Sequence, residues 1–317
     1  MKIHNGRVGF VEPMLALAVT KLPEGTAWSY ELKFDGYRAI GVKAAGQVRL
    51  FSRNGKDFTR RFASVARALD ALPDDTVVDG EIIAYDTEGR PSFNVLQNRR
   101  GEPDLNHYVF DLLTLRGESL VRESLERRRE LLRTKVMPLL PDSVRFSETL
   151  EASPTELIEA VREQGFEGIV AKRRDSTYKP GQRSAVWQKM RVLQRRDFVI
   201  GGYTSAGRNF GAILIGDYEG RALNYVAKVH GGFTPALRVA VFKRFHGLET
   251  ETCPFKNLPE ARRGPWGEGL TTAEMAKCRW LKPRLVATID YLERTAANNL
   301  RHPMFSGLTA NQPLKAP

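Results

Sequence analysis

At 317 residues with 42% hydrophobic side chains, the chain can form one large or two ordinary domains with proper cores, and no apolar run approaches the roughly 18 residues of a membrane span. Lysine and arginine number 49 against 37 acids, a net charge of +12; so basic a protein is drawn to polyanions, and nucleic acid is the expected partner because these side chains neutralise phosphates and release counterions. Cys253 and Cys278 have neither metal-ligand spacing nor a disulfide framework, and Met1 to Gly6 lacks the apolar core of a signal peptide, so a reducing cytoplasm with two packed thiols is expected.

Residues 29–33 alternate polar and apolar side chains as a half-buried strand does, and Asp35-Gly36 follows as a hairpin signal. Further strands are expected at 38–43, 48–52, 77–85, 107–115, 168–172 and 186–192. Helices are expected at 60–72, 93–99, 125–136 and 154–164. The last has the clearest start, with Ser153 as cap, Pro154 in the first turn and Glu156 completing a capping box. After Arg195-Arg196-Asp197 the texture changes. Strands at 198–203, 212–218 and 222–229, a helix at 235–245 and strands at 278–281 and 285–292 fit a small Greek-key barrel of the oligonucleotide-binding type. The expected domains are therefore 1–196 and 197–317.

Several charged residues fall on or beside predicted strands, where charge is unusual unless paired or used. They are Lys33, Asp35 and Arg38; Arg53 before an Asn-Gly turn; Glu81 within an apolar strand; Glu167 before Gly168; and Lys189 with Arg191, which a period of two puts on one face. Each alone fits an ordinary solvated strand face or turn. The ordered set is harder to dismiss.

That set resembles the covalent nucleotidyltransferase superfamily, and more closely the ATP-dependent DNA ligases of the bacterial end-joining type. Lys33-Phe34-Asp35-Gly36-Tyr37-Arg38 resembles the nucleophile motif, and Ser52-Arg53-Asn54-Gly55 the motif that follows it. Asp79-Gly80-Glu81 is similar to the ribose-binding motif, Tyr108-Val109-Phe110-Asp111 to the adenine-stacking one, Glu167-Gly168-Ile169-Val170-Ala171-Lys172 to the metal-binding one, and Trp187-Gln188-Lys189-Met190-Arg191 to the last of the transferase domain. The resemblance implies an α+β nucleotidyltransferase (ATP-grasp-like) domain followed by an all-β OB-fold barrel. It runs from about residue 13 to about residue 308.

The implied reaction has three steps. Lys33 attacks the α-phosphate of ATP and keeps AMP, AMP moves to a 5′-phosphate at a nick, and the neighbouring 3′-hydroxyl seals the strand. An ordinary lysine is protonated at neutral pH, and removing its proton costs roughly 4–5 kcal/mol. Desolvation and nearby cations reduce that cost; Arg38, Lys189, Arg191 and a bound Mg²⁺ (or Mn²⁺) are expected to act so and to stabilise charge on the phosphate. The resemblance further implies Glu167 as metal ligand and Asp35 as orienter of the leaving group or a metal-bound water. It implies Glu81 on the ribose, Phe110 on the adenine face and the Glu31 backbone at the base edge, with Lys172 also in the nucleotide-binding set. Arg53 and Arg183 are expected on the AMP phosphate or the nick 5′-phosphate, and Arg208 and Lys228 on the DNA backbone.

Two departures from the family pattern bear on the chemistry. Arg191 stands where a second lysine is usual; it keeps the charge but cannot act as an acid. After Leu308 the chain reads Thr309-Ala310-Asn311-Gln312 in place of a basic-acidic-basic tail, so weaker self-adenylation is expected, with Lys282 or Arg284 as substitutes. The expectation is a minimal, monomeric cytoplasmic ligase acting on nicked duplex DNA, with an end-binding protein such as Ku as a partner the family implies and with no membrane role. An RNA ligase, a capping-type nucleotidyltransferase and a non-catalytic nucleic-acid-binding relative share parts of this pattern.

Overall fold

Side-chain alternation sorts the first part of the chain into two sheets, and their faces build its core. The computed structural model describes residues 8–87, 89–97, 104–207, 209–259, 270–295 and 298–309, and divides into two units, Met1–Val192 and Leu193–Pro317. The division falls earlier than the expected boundary after residue 196, because Gln194, Arg195 and Arg196 already pair with the strand Cys278–Tyr291.

The first unit runs β1 (Leu15–Ala18), β2 (Trp28–Lys33), β3 (Tyr37–Ala44), β4 (Gln47–Ser52), α1 (Ala63–Ala68), β5 (Thr76–Ala84), α2 (Phe93–Gln97), β6 (Leu105–Leu115), β7 (Glu118–Ser119), α3 (Leu125–Leu131), β8 (Val144–Phe146), α4 (Pro154–Glu163), β9 (Gly168–Arg173) and β10 (Arg183–Arg191). The smaller sheet is ordered β1-β10-β9-β2. The larger is ordered β4-β3-β5-β6-β7, with β8 beside β6. Consecutive strands β2 and β3 thus lie in different sheets. Asp35-Gly36 is a crossing between them, not the expected hairpin, and neither residue has positive φ.

One face of the larger sheet, including Ala39, Val78, Ile82 and Val109, packs on Phe62, Val65 and Phe93. Ile40, Val42, Val77 and Leu113 from its other face pack with Trp187 of β10. Tyr30, Ile169 and Ala171 of the smaller sheet are covered by Leu157 and Val161 of α4. Helix α4 begins as expected: Glu156 N donates to Ser153 Oγ, and Ser153 N donates to Glu156 Oε2 at 2.9 Å. The helix expected at 60–72 is shorter, an α-helical stretch closed by a 3₁₀ turn at Leu69–Ala71. Helix α3 loosens into a π turn over Leu132–Val136, and residues 98–99 of the expected helix 93–99 lie outside the described residues.

Two buried polar groups mark this core. Arg128 of α3 is fully buried and forks onto Asp111 of β6, with Nε to Oδ1 at 2.7 Å and Nη2 to Oδ2 at 2.8 Å; its Nη1 donates to Glu123 O and Ser176 O. His107 is also fully buried. Neither of its ring nitrogens makes a hydrogen bond of normal geometry, and only the Ala39 backbone acts against its burial. Burial therefore lowers its pKa from 6.5 to about 4.

The folded state thus refuses a proton that the unfolded chain accepts, and stability is lost as pH falls from about 6.5 towards about 4. The full difference corresponds to about 3 kcal/mol. Urea midpoints of wild type and His107→Gln across that window should converge at the acid end; parallel curves would refute this.

The second unit runs β11 (Gln194–Ala206), β12 (Asn209–Glu219), β13 (Ala222–Val229), α5 (Pro235–Lys243), β14 (Glu249–Thr250), α6 (Thr272–Met275), β15 (Cys278–Tyr291), β16 (Glu293–Arg294), β17 (Leu300–Arg301) and β18 (Met304–Leu308). Its main sheet is ordered β13-β12-β11-β15-β14, and β18 also pairs with β15. Phe305 N donates to Gly231 O at 3.0 Å, drawing β18 towards the end of β13 and curling the sheet into a barrel. The two strands expected at 278–281 and 285–292 are one. Pro283 is accommodated because the pairing with β11 is irregular there, so no regular ladder bond is lost. Both cysteines are free thiols, Cys278 buried and Cys253 half-buried.

Candidate active site

Strand β2 delivers Lys33 to the edge of the smaller sheet. Register does the rest: Lys33 lies opposite Gly168 of β9, and Gly168 opposite Arg191 of β10. A Cβ on Gly168 would strike Met190 O, so glycine permits the close approach of β9 and β10. Glu167, one residue earlier, is thereby placed between two cations. It ion-pairs with Lys33 Nζ through Oε2 and accepts from Arg191 Nε at 3.1 Å through Oε1.

Lys189 has the opposite environment. Burial, then the positive charges of Lys33, Arg191, Arg183 and Arg53, lower its amine below the ordinary lysine range. These residues come from β2, β10 and the turn after β4, so the fold gathers cations far apart in sequence. An anion is the natural counterweight to such a cluster.

The larger sheet supplies another wall. Arg38 of β3 forks onto the buried Asp79 of β5, Nε to Oδ1 at 2.7 Å and Nη2 to Oδ2 at 2.6 Å, and Tyr178 OH donates to the same carboxylate at 2.6 Å. Arg38 and Glu81 are cross-strand partners. Burial, opposed by Arg38 and Lys33 and reinforced by Glu167 and Asp35, pushes the Glu81 carboxyl up to about 8. At neutral pH Glu81 therefore offers both a donor and an acceptor, as a pair of sugar hydroxyls requires.

A third wall is aromatic. Lys172 Nζ lies 4.3 Å from the Phe110 ring centroid and 4.6 Å from that of Trp187, and the Arg38 guanidinium lies 4.9 Å from Phe110. Glu31 is buried, its Oε1 2.8 Å from Lys172 Nζ, an ion pair without aligned hydrogen-bond geometry.

These walls enclose a cavity of about 560 Å³, large enough for a nucleotide. Glu31, Lys33, Arg38, Arg53, Glu81, Phe110, Lys172, Arg183 and Lys189 all line it. Glu167, Asp35 and Arg191 act on it from its margin through the contacts and charges above. Arg183 is exposed and donates to Ala16 O at 2.5 Å.

Other residues were not legible as site members. Asp79 and Tyr178 pin Arg38. Lys56 and Arg61 line the cavity, Arg61 4.5 Å from the Tyr37 ring centroid. The basic run from Arg53 to Arg61 was the available signal for these two. Asp79 stood in the motif Asp79-Gly80-Glu81 but not as a partner of Arg38, and Tyr178 left no signal, since its bond to Asp79 joins residues far apart in the chain.

Lys228 lies in the second unit on β13, 3.8 Å from Glu274 Oε1. Arg208 and residues 310–312 lie outside the described residues. Among the described residues no group of three or more His, Cys, Asp or Glu is placed to hold a metal. A Mg²⁺ ion would therefore need substrate phosphates and water to complete its shell, with Glu167 the carboxylate that would hold it.

Gly36 explains the Asp-Gly crossing. A Cβ there would collide with Ile82 O, a backbone atom that cannot move aside. Gly36→Ala is expected to cost about 1–3 kcal/mol as a lower urea midpoint; an unchanged midpoint would show the crossing to be pliable.

A paired lysine, a cation cluster and a nucleotide-sized cavity, with a barrel following in the chain, define a nucleotidyltransferase domain joined to an OB-fold domain. A model of the ATP dependent DNA ligase domain matches residues 13–191, and one of the ATP dependent DNA ligase C terminal region matches residues 206–311. The chain belongs to the ATP-dependent DNA ligases. It is 36% identical to the multifunctional non-homologous end joining protein LigD of Pseudomonas aeruginosa, over 96% of this chain and 36% of that protein. It is 31% identical to DNA ligase C1 of Mycolicibacterium smegmatis, over 89% of this chain and 83% of that protein. Among solved structures, a mycobacterial DNA ligase D complexed with ATP and MES matches with TM-score 0.57 and 31% identity, over 96% of this chain and 97% of that one. The chain spans little more than a third of the length of the LigD proteins it matches.

Proposed function

We propose that this chain seals nicks in duplex DNA through a lysyl-AMP formed at Lys33, in break repair of the end-joining kind. The observation that carries the reading is the placement of Lys33 beside Glu167 at the edge of a cavity whose free charge is positive. The neutral Lys33 amine attacks the α-phosphorus of ATP. The Nζ–P bond forms, the bond to the bridging oxygen breaks, pyrophosphate leaves and the amine proton passes to solvent. Phe110 stacks on the adenine, Glu81 holds the ribose hydroxyls, and Arg53, Arg183 and Lys189 hold the phosphate. An oxygen of the nick 5′-phosphate then attacks the adenylate phosphorus and frees Lys33. The 3′-hydroxyl attacks the 5′-phosphorus and AMP departs. Arg38 and Arg191 keep their charge throughout, so neither serves as the acid.

Mg²⁺, when bound at Glu167, supplies charge neutralisation on the phosphates. The Lys33–Glu167 pair must open before attack. Lys228 and the turn after β11 are proposed to meet the DNA backbone, which positions a duplex without reading its sequence. Soluble monomeric action in a bacterial cytoplasm, with an end-binding protein such as Ku as partner, belongs to the same proposal.

The test is a pulse and chase. Protein incubated with α-labelled ATP and Mg²⁺ should carry label on a denaturing gel, and nicked duplex DNA should remove it and be sealed. Label from GTP but not ATP would favour a capping-type enzyme, and sealing of nicked RNA alone an RNA ligase. No label together with no sealing of pre-adenylated nicks would leave only a binding protein.

A further inference from the structure

We infer that Arg129, which does not line the nucleotide cavity, is a positioning residue for its base-binding wall and sets the discrimination between adenine and guanine nucleotides. This rests on the reading of Glu31, Phe110 and Lys172 as the base subsite.

Arg129 lies on α3 and is only 7% exposed. Its Nη1 is 2.9 Å from Glu31 Oε1 on β2 and donates to Phe110 O on β6 at 3.2 Å. Its Nη2 donates to Ser147 O at 2.6 Å and Thr149 Oγ1 at 3.3 Å. The guanidinium also lies 4.5 Å from the Phe146 ring centroid. One planar group thus ties the strand that ends in Lys33, the strand that carries Phe110 and the segment after β8.

The tie continues inward. Glu31 Oε1, fixed by Arg129, also holds Lys172 Nζ, and Ser147 Oγ donates to Glu31 Oε2 at 2.8 Å. Lys172 is thereby held over the Phe110 ring. Arg129 sets the ring's backbone, the carboxylate behind the ammonium and, through it, the ammonium itself. Arg129 also lines a second cavity of about 230 Å³, where Phe146 packs beside it.

Base choice depends on this rigidity. A polar site built for one pattern of donors and acceptors rejects another strongly, but only while its groups stay fixed. Lysine at position 129 keeps the charge and loses the fork that spans two strands. Glutamine loses both. Arg129 does not line the nucleotide cavity and its polar partners do not include Lys33, so the bond-forming step at saturating nucleotide is left in place.

The experiment measures lysine adenylation with α-labelled ATP and α-labelled GTP for wild type, Arg129→Lys, Arg129→Gln and Glu31→Gln, with unliganded melting curves for each. Expected is a KM for ATP raised about tenfold in Arg129→Gln, from the loss of charge-assisted hydrogen bonds. Arg129→Lys should fall between it and wild type. The ATP-to-GTP ratio of kcat/KM should drop in all three, with the saturated rate nearly kept in the two Arg129 variants. Glu31→Gln combined with Arg129→Gln should add little to either alone. If Arg129→Gln does not fold, Arg129→Lys and Glu31→Gln carry the same readout. Wild-type label with unchanged KM and base ratio in the variants, whatever their melting points, overturns the inference and leaves the function intact. Absence of label in wild type overturns both.

Discussion

Lys33→Ala is expected to take up no label from α-labelled ATP, a complete loss rather than a slowing. Neither Lys172 nor Lys189 is placed to replace it. Lys172 is buried against Glu31 and two aromatic rings, and Lys189 is read as the cation that holds the phosphate. The substitution should be mild for the fold. Glu167 keeps Arg191 as a partner, and the Lys33 side chain is 15% exposed, so no deep cavity is opened. The urea midpoint should therefore stay close to that of wild type. Since the last step does not pass through the lysine–phosphorus bond, pre-adenylated nicks should still be sealed. Label on the alanine variant, or peptide mapping that puts AMP elsewhere, would defeat the assignment.

Arg128→Ala is expected to be the most destabilising single change in the first unit, by about 3–5 kcal/mol, because it strands a buried carboxylate. Asp111 has no exposure to water, and the Leu112 N–H at 2.9 Å would be left to it. Glu123 O and Ser176 O would lose a donor as well. Replacing both members, Arg128→Met with Asp111→Leu, should cost much less than the single change, since no charge is then left behind. Urea unfolding of the two singles and the double gives the coupling directly. Additive losses would mean that the fork between Arg128 and Asp111 does not act as a unit.

The two cases differ in how far they could be read in advance. Lys33 announced itself through neighbours in the chain, because a strand end, a crossing and Arg38 are local. The long alternating strands were equally plain, and so was α4 with its capping box. β1 and β8 were not, since Leu15–Ala18 and Val144–Phe146 are too short to establish a period and are held by pairing with distant strands. Asp35-Gly36 was misread as a hairpin. A turn signal reports local backbone freedom, whereas here the glycine is demanded by Ile82 O, a residue in another strand. Arg128 and Arg129 stood in a run of charge that reads as a solvated helix face. Only tertiary structure turns that face inward onto Asp111 and Glu31.

The contact between Lys33 and Glu167 has a further bearing on the resting enzyme. A primary amine presented openly at the mouth of a cleft would be acylated, carbamylated or glycated by small electrophiles of the cell. Held as an ammonium against a carboxylate, it has no lone pair to give them. On the proposed reading, the chain stores its attacking amine in a form that ages slowly and that the incoming triphosphate must unlock.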